Sequence, residues 1–141
     1  MDDKKTKANA WDKAKEYKLL RHEPDRSKRY SEPEEIDSGV NFFVLMIEQF
    51  GYKTMWSCEG HPTKKCKDEF YMIMKCPYEF ARAVVSCGYM KVEVCGGMNQ
   101  FRLSMDKFSM EEKDTYFRWA AEAWERVLGE LDFSKIKDSL R

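Results

Sequence analysis

The chain has 141 residues, 35% of them charged, and Lys plus Arg equals Asp plus Glu at 25 each. A balanced charge gives no global field to attract nucleic acid or an anionic membrane, and it argues against an acidic mimic of DNA. The length predicts one domain with a sizeable core, and no segment approaches the roughly 20 apolar residues of a membrane span.

The chain divides into two parts by composition. Residues 1–37 contain a predicted helix from Ala8 to about Leu20, followed by a charged, proline-containing stretch. We therefore predict a helical and flexible N-terminal arm. Residues 38–141 are predicted to form a single domain.

Hydrophobic periodicity in the domain predicts the element order αββαββα. The first helix ends at Gly51, Pro77 begins the second, and the capping box Ser109-x-x-Glu112 begins a long third one. The second strand is apolar on both faces, which predicts a central position. The four predicted strands cover residues 52–57, 70–74, 90–94 and 101–105. We predict an α+β fold in which helices cover mainly one face of a four-stranded, mostly antiparallel sheet.

Cysteine usage indicates a reducing compartment. The number of cysteines is odd, and no apolar signal segment follows Met1. We therefore predict a cytoplasmic protein with thiols and without structural disulfides. The five cysteines are Cys58, Cys66, Cys76, Cys87 and Cys95.

The turn after the first strand contains the residues best suited to chemistry. Cys58, Glu59 and His61 fall within four residues, Gly60 permits a positive φ, and Pro62 stiffens the exit. A thiol, a carboxylate and an imidazole on one tight turn can act together, with Cys58 as nucleophile and His61 as its base. A structural turn, with a buried Cys58 and a backbone-bonded His61, explains the same residues.

The same turn suggests a metal site. Cys58, His61 and Cys66 are separated by two and four residues, which suits zinc. The two strand–turn segments that contain a Cys-x-Gly align with Cys58 opposite Cys95, so Cys95 is the predicted fourth ligand. Zinc is the candidate cofactor.

Residues around the turn suggest a ligand site. Lysines beside a tight turn can hold a phosphate. Trp56 and Tyr71, on neighbouring strands, can stack on a base, although core packing explains them equally. The candidate ligand-binding residues are Trp56, Ser57, Gly60, Lys64 and Lys65.

The segment Ser57-Cys58-Glu59-Gly60-His61-Pro62 resembles a turn in small phage-type proteins, in which a strand leads into Ser-Cys-x-Gly-His. The resemblance covers residues 40–75 and implies binding to a host enzyme, a signalling nucleotide or a defence complex. A looser resemblance, through residues 57–60, is to the wybutosine-synthesis methyltransferase family, which implies S-adenosylmethionine binding or tRNA modification. Here His61 stands where that family has arginine, and Trp56 replaces a serine.

We therefore expect a small non-catalytic binding protein, encoded by a phage, that binds or inhibits a host protein or a nucleotide ligand. Homo-oligomerisation is compatible with this expectation. Two alternatives stay open. One is a small enzyme that acts on a nucleotide or modified base through Cys58, Glu59 and His61. The other is a zinc-stabilised module that binds nucleic acid.

Overall fold

The computed structural model describes residues 10–19, 38–58, 70–105 and 112–136. These ranges contain a short helix in the N-terminal arm and then elements in the predicted order αββαββα. The helices are α1 Ala10–Ala14, α2 Asn41–Gln49, α3 Tyr78–Ser86 and α4 Lys113–Leu128. The strands are β1 Lys53–Cys58, β2 Tyr71–Lys75, β3 Lys91–Val94 and β4 Gln100–Ser104. Short 3-10 helices, Ser38–Val40 and Phe133–Lys135, precede α2 and follow α4.

The strands form one antiparallel sheet in the order β1-β2-β4-β3. The central pair is β2 and β4, with Met72 opposite Leu103 and Met74 opposite Phe101. Strand β1 pairs with β2, and β3 pairs with β4, so β1 and β3 are the edge strands. The predicted α+β class and the central position of the second strand are confirmed.

The core lies between the sheet and the helices. Met72, Met74 and Leu103 are fully buried on the same face of the sheet. Helix α2 is buried along its whole first two turns, which fits its nearly continuous apolar sequence between β1 and the other helices. Helix α4 is amphipathic instead and buries Phe117 and Trp124.

Two turns depend on residues with positive φ. Gly51 follows α2 with φ +92°, as the sequence predicts for a helix end. In the hairpin between β3 and β4, Gly96 has φ +59° and Asn99 has φ +61°. A Cβ atom at Gly96 would meet only Oε1 of Gln100, at 2.9 Å, and that flexible side chain can move aside. The positive φ is therefore what favours glycine in this tight hairpin.

The described part of the N-terminal arm packs into the same core. Trp11 and Ala14 of α1 are buried. Trp11 Nε1 donates a hydrogen bond to the Gly39 carbonyl at 2.8 Å. Asn41 Nδ2 donates to the carbonyls of Ala14 and Tyr17, at 3.0 and 2.8 Å. These contacts join residues 10–19 to the start of α2.

Helix α4 begins at Lys113, and Glu112 occupies its N-cap position without a side-chain capping hydrogen bond. The predicted cap, Ser109, lies outside the described residues. The capping box therefore stays a prediction.

Candidate functional site

The turn that the sequence singles out falls mostly outside the described part of the chain. Cys58 is the last residue of β1, and its backbone is paired with Tyr71. The enzyme and zinc hypotheses therefore stay predictions. The predicted residues outside the described ranges are Glu59, Gly60, His61, Pro62, Lys64, Lys65 and Cys66.

The predicted stacking pair is offset in the sheet. Trp56 is opposite Ile73, and Ser57 is opposite Met72, so Trp56 and Tyr71 are not directly across from each other. Tyr71 is half-buried, and the guanidinium carbon of Arg102 lies 5.2 Å from the centre of its ring. One face of that ring is therefore covered by a cation from β4.

Cys95 lies far from Cys58. It directly follows β3, which is the opposite edge strand, and three antiparallel pairings make β1 and β3 run in opposite directions. The two cysteines thus mark diagonally opposite corners, and the strand spacings alone separate them by about 14 Å. Zinc ligands bind within about 2.3 Å of one ion. The sequence alignment that pairs Cys58 with Cys95 therefore relates two residues that lie far apart in the sheet.

No group of three or more metal-ligating side chains occurs within residues 10–19, 38–58, 70–105 and 112–136. In the same ranges, no helix combines the length and the apolar composition that a membrane crossing requires.

An open groove of about 410 Å³ lies between α3 and the edge strand β3. Helix α3 packs inward through Phe80, Ala81 and Val84, which leaves one side of the helix facing outward over β3. The groove is lined by Tyr78, Ala81, Arg82, Val85 and Ser86 of α3, by Val92 and Val94 of β3, and by Phe101 of β4. This lining is apolar apart from Arg82, Ser86 and the hydroxyl of Tyr78.

Large apolar side chains are exposed at this groove. Val94 is 75% exposed, Tyr78 is 59% exposed and Val85 is 51% exposed. Met98, at the tip of the neighbouring hairpin, is also exposed. Tyr78, Val85 and Val94 all line this groove, so their exposed apolar surfaces lie together, which makes the groove a candidate interaction site.

The backbone of β3 offers hydrogen bonds to the same side. Cys95 N donates to the Gln100 carbonyl at 3.0 Å, which makes these two residues a hydrogen-bonded pair. Because the direction alternates along an antiparallel strand, Lys91 and Glu93 also direct their backbone groups toward β4. Val92 and Val94 therefore direct their N–H and C=O groups outward, away from the sheet.

The sequence carried a weak signal for this site. Alternation correctly predicts β3, and it places Val92 and Val94 on one face. Nothing in the pattern indicates that α3 leaves Val94 uncovered, because that depends on where the helix docks. A search for reactive side chains also passes over a groove built mainly from valine, alanine and aromatic residues.

Two buried thiols, Cys76 and Cys87, flank α3 and are unreactive. Desolvation by burial raises the pKa of Cys76 and of Cys87 to about 11. The Cys87 Sγ also donates to the Ala83 carbonyl at 3.4 Å. The thiolate is the reactive form, so both groups are inert near neutral pH.

We expect iodoacetamide at pH 8 to modify Cys95, which is half-buried, much faster than Cys76 or Cys87. The pKa values of Cys76 and Cys87 are higher in the folded protein than in the unfolded chain. The protonated thiols therefore stabilise the fold below about pH 9, and this stabilisation is lost as the pH rises through about 11. Peptide mass spectrometry after timed alkylation measures the order, with protein in urea as the control. Equal rates for Cys95 and either buried thiol in the folded protein would contradict the prediction.

Comparison with protein-family models, with curated proteins and with solved structures gives no significant match.

Proposed function

We propose that this protein acts by binding, and that the α3–β3 edge accepts an extended segment of a partner protein as an added strand. The observation that carries the proposal is the combination of an edge strand with outward backbone groups and an apolar groove beside it. Main-chain hydrogen bonds supply affinity in this mode of recognition, and pockets for alternate side chains supply specificity.

The pattern of β3 specifies which segment fits. In an added antiparallel strand, the residue opposite Val92 lies on the helix side of the sheet, next to the groove, and should be apolar. Its two neighbours lie on the other face, opposite the exposed side chains of Lys91 and Glu93. Opposite charges across a strand pair are favourable. The favoured segment therefore reads basic, apolar, acidic from its N-terminus.

The resemblance of the Ser57–Pro62 turn to phage-type proteins makes a host protein our proposed source of that segment. The polar groups in the groove lining are Arg82, Ser86 and the hydroxyl of Tyr78, and no histidine, cysteine or carboxylate lies among the lining residues. The proposal therefore assigns recognition, and not turnover, to this edge.

The proposal is tested by selecting peptides of about seven residues from a display library on the immobilised protein. We expect enrichment of basic–apolar–acidic triplets. The double variant K91E/E93K should invert the preference to acidic–apolar–basic, by about tenfold, because both cross-strand pairs change sign. K53E, which makes the lysine-to-glutamate change of K91E on the other edge strand, is the control and should leave the preference unchanged.

Selected peptides should shift the NMR amide signals of β3 and α3. A selection that enriches no pattern, or a pattern that the double variant leaves unchanged, would overturn the proposal.

A further inference from the structure

The segment that the β3 edge selects is present in β3 itself. Lys91-Val92-Glu93 reads basic, apolar, acidic. We propose that, in the free protein, β3 of a second copy occupies this edge and joins the two sheets into one across a two-fold axis. This inference rests on the proposed function, because it assigns regulation to the same edge.

Charge selects one register among the symmetric antiparallel ones. An axis through Lys91 places two lysines opposite each other, and an axis through Glu93 does the same with two glutamates. An axis through Val94 leaves Lys91 and Glu93 without a charged residue opposite them. An axis through Val92 places Lys91 opposite Glu93 of the second copy, and it does so twice because the interface is self-complementary.

Registers with the axis between two residues do not arise. Residues directly opposite each other in an antiparallel pair lie on the same face, and a two-fold axis perpendicular to the sheet keeps each residue on its own face. Val92 and Glu93 lie on opposite faces, so they cannot be paired in this way. The axis through Val92 keeps both helical layers on one face and brings the two grooves together.

Backbone directions agree with this register. Val92 directs its N–H and C=O outward, so on the axis it exchanges two hydrogen bonds with Val92 of the second copy. The outward N–H of Val94 faces the carbonyl of Met90 of the second copy. The N–H of Met90 is already bonded to the Gly88 carbonyl at 2.8 Å, so Met90 acts there as an acceptor.

The charges continue into a row across both copies. Within one copy, Glu93 is opposite Arg102 of β4. In the joined sheet, Glu93 lies between Arg102 and Lys91 of the second copy, so the signs alternate. Charged residues on an edge strand usually discourage pairing between copies. Here the alternation of sign makes one pairing favourable.

The dimer and the partner segment use the same backbone groups, so they exclude each other. A partner therefore binds only to the monomer, and its apparent affinity falls as the protein concentration rises. Strand β3 has four residues, which predicts a weak dimer that dissociates on dilution.

Sedimentation equilibrium of the full chain, over about a hundredfold range of concentration, tests the inference. We expect a reversible monomer–dimer equilibrium. K91E and E93K should each weaken it by at least about tenfold, because like charges then meet twice across the axis. The double variant K91E/E93K restores both pairs across the axis but places a lysine opposite Arg102, so it should regain most of the lost affinity. K53E should leave the dissociation constant unchanged.

A wild-type protein that stays monomeric, or a dimer that neither single variant weakens, overturns the inference. So does a double variant as monomeric as the single ones, provided that its circular dichroism is native. These outcomes are separable from the proposed function. If peptides are selected on a protein that stays monomeric, the proposed function stands and the dimer is excluded. If the dimer responds to the charge swap but no peptide is selected, the dimer stands and the proposed function is excluded.

Discussion

Replacing Phe43 with alanine is expected to lower the free energy of unfolding by about 3 to 5 kcal/mol. Phe43 is fully buried in α2. Its ring centre lies 4.8 to 6.3 Å from the ring centres of Phe42, Phe70, Phe117 and Trp124. The side chain therefore joins α2 to α4 and to the start of β2, and its removal leaves a cavity that these rings fill poorly. Urea unfolding followed by circular dichroism measures the loss.

Phe50 provides the matched control, since it is a phenylalanine at the end of the same helix. It is 41% exposed and contacts Phe80, with ring centres 5.2 Å apart. We expect F50A to cost about 1 kcal/mol or less, because little buried volume is removed. F43L, which keeps most of the buried volume, should fall between the two alanine variants. Equal losses for F43A and F50A would show that Phe43 is not the centre of this cluster.

Local pattern was sufficient for the elements of this fold. The alternation of Met90 to Val94 predicts a strand that is found at Lys91–Val94, and Gly51 ends α2 as expected. The burial of Met72 and Met74 fits the prediction of a central strand. These features depend on neighbours along the chain, and the sequence displays them directly.

Local pattern does not predict the position of each strand in the sheet. Two hairpins can join through either of their strands, and the charges of Lys91 and Glu93 are only a weak sign that β3 is an edge strand. The alignment of Cys58 with Cys95 shows the same limit. Equivalent positions in two units become neighbours only if the axis between the units passes near them, and here it passes between β2 and β4.

The candidate site was hard to predict because its properties are collective. The alternation of β3 predicts that Val94 is buried, but the position of α3 leaves this side chain 75% exposed. Lys91 and Glu93 look like ordinary solvated charges until the edge position makes their order meaningful. Site reasoning from sequence favours reactive residues, and a strand-binding edge needs none.

Replacing Asn41 with alanine is expected to cost about 1 to 2 kcal/mol and to release the described part of the N-terminal arm. The side-chain amide donates to the carbonyls of Ala14 and Tyr17. In the variant the Ala14 carbonyl keeps a second donor, the N–H of Tyr17 at 3.1 Å, whereas the Tyr17 carbonyl loses the Asn41 donor. A buried carbonyl without a donor costs about 1 to 3 kcal/mol. Asn41 Oδ1 has no hydrogen-bond partner among the described residues, so removing that buried acceptor offsets part of the loss.

Hydrogen exchange read by mass spectrometry separates this local effect from global unfolding. In N41A, the amides of residues 10–19 should lose protection while those of β2 and β4 keep theirs. N41D, which has the same shape but no donor, should be worse because a carboxylate then faces two carbonyls. D12N is the control, since it weakens the exposed Arg118–Asp12 pair at 3.1 Å, which joins the same segment to α4. An exposed pair contributes about 0.2 to 1 kcal/mol. If D12N frees the segment as much as N41A does, the surface contact, and not Asn41, holds the arm.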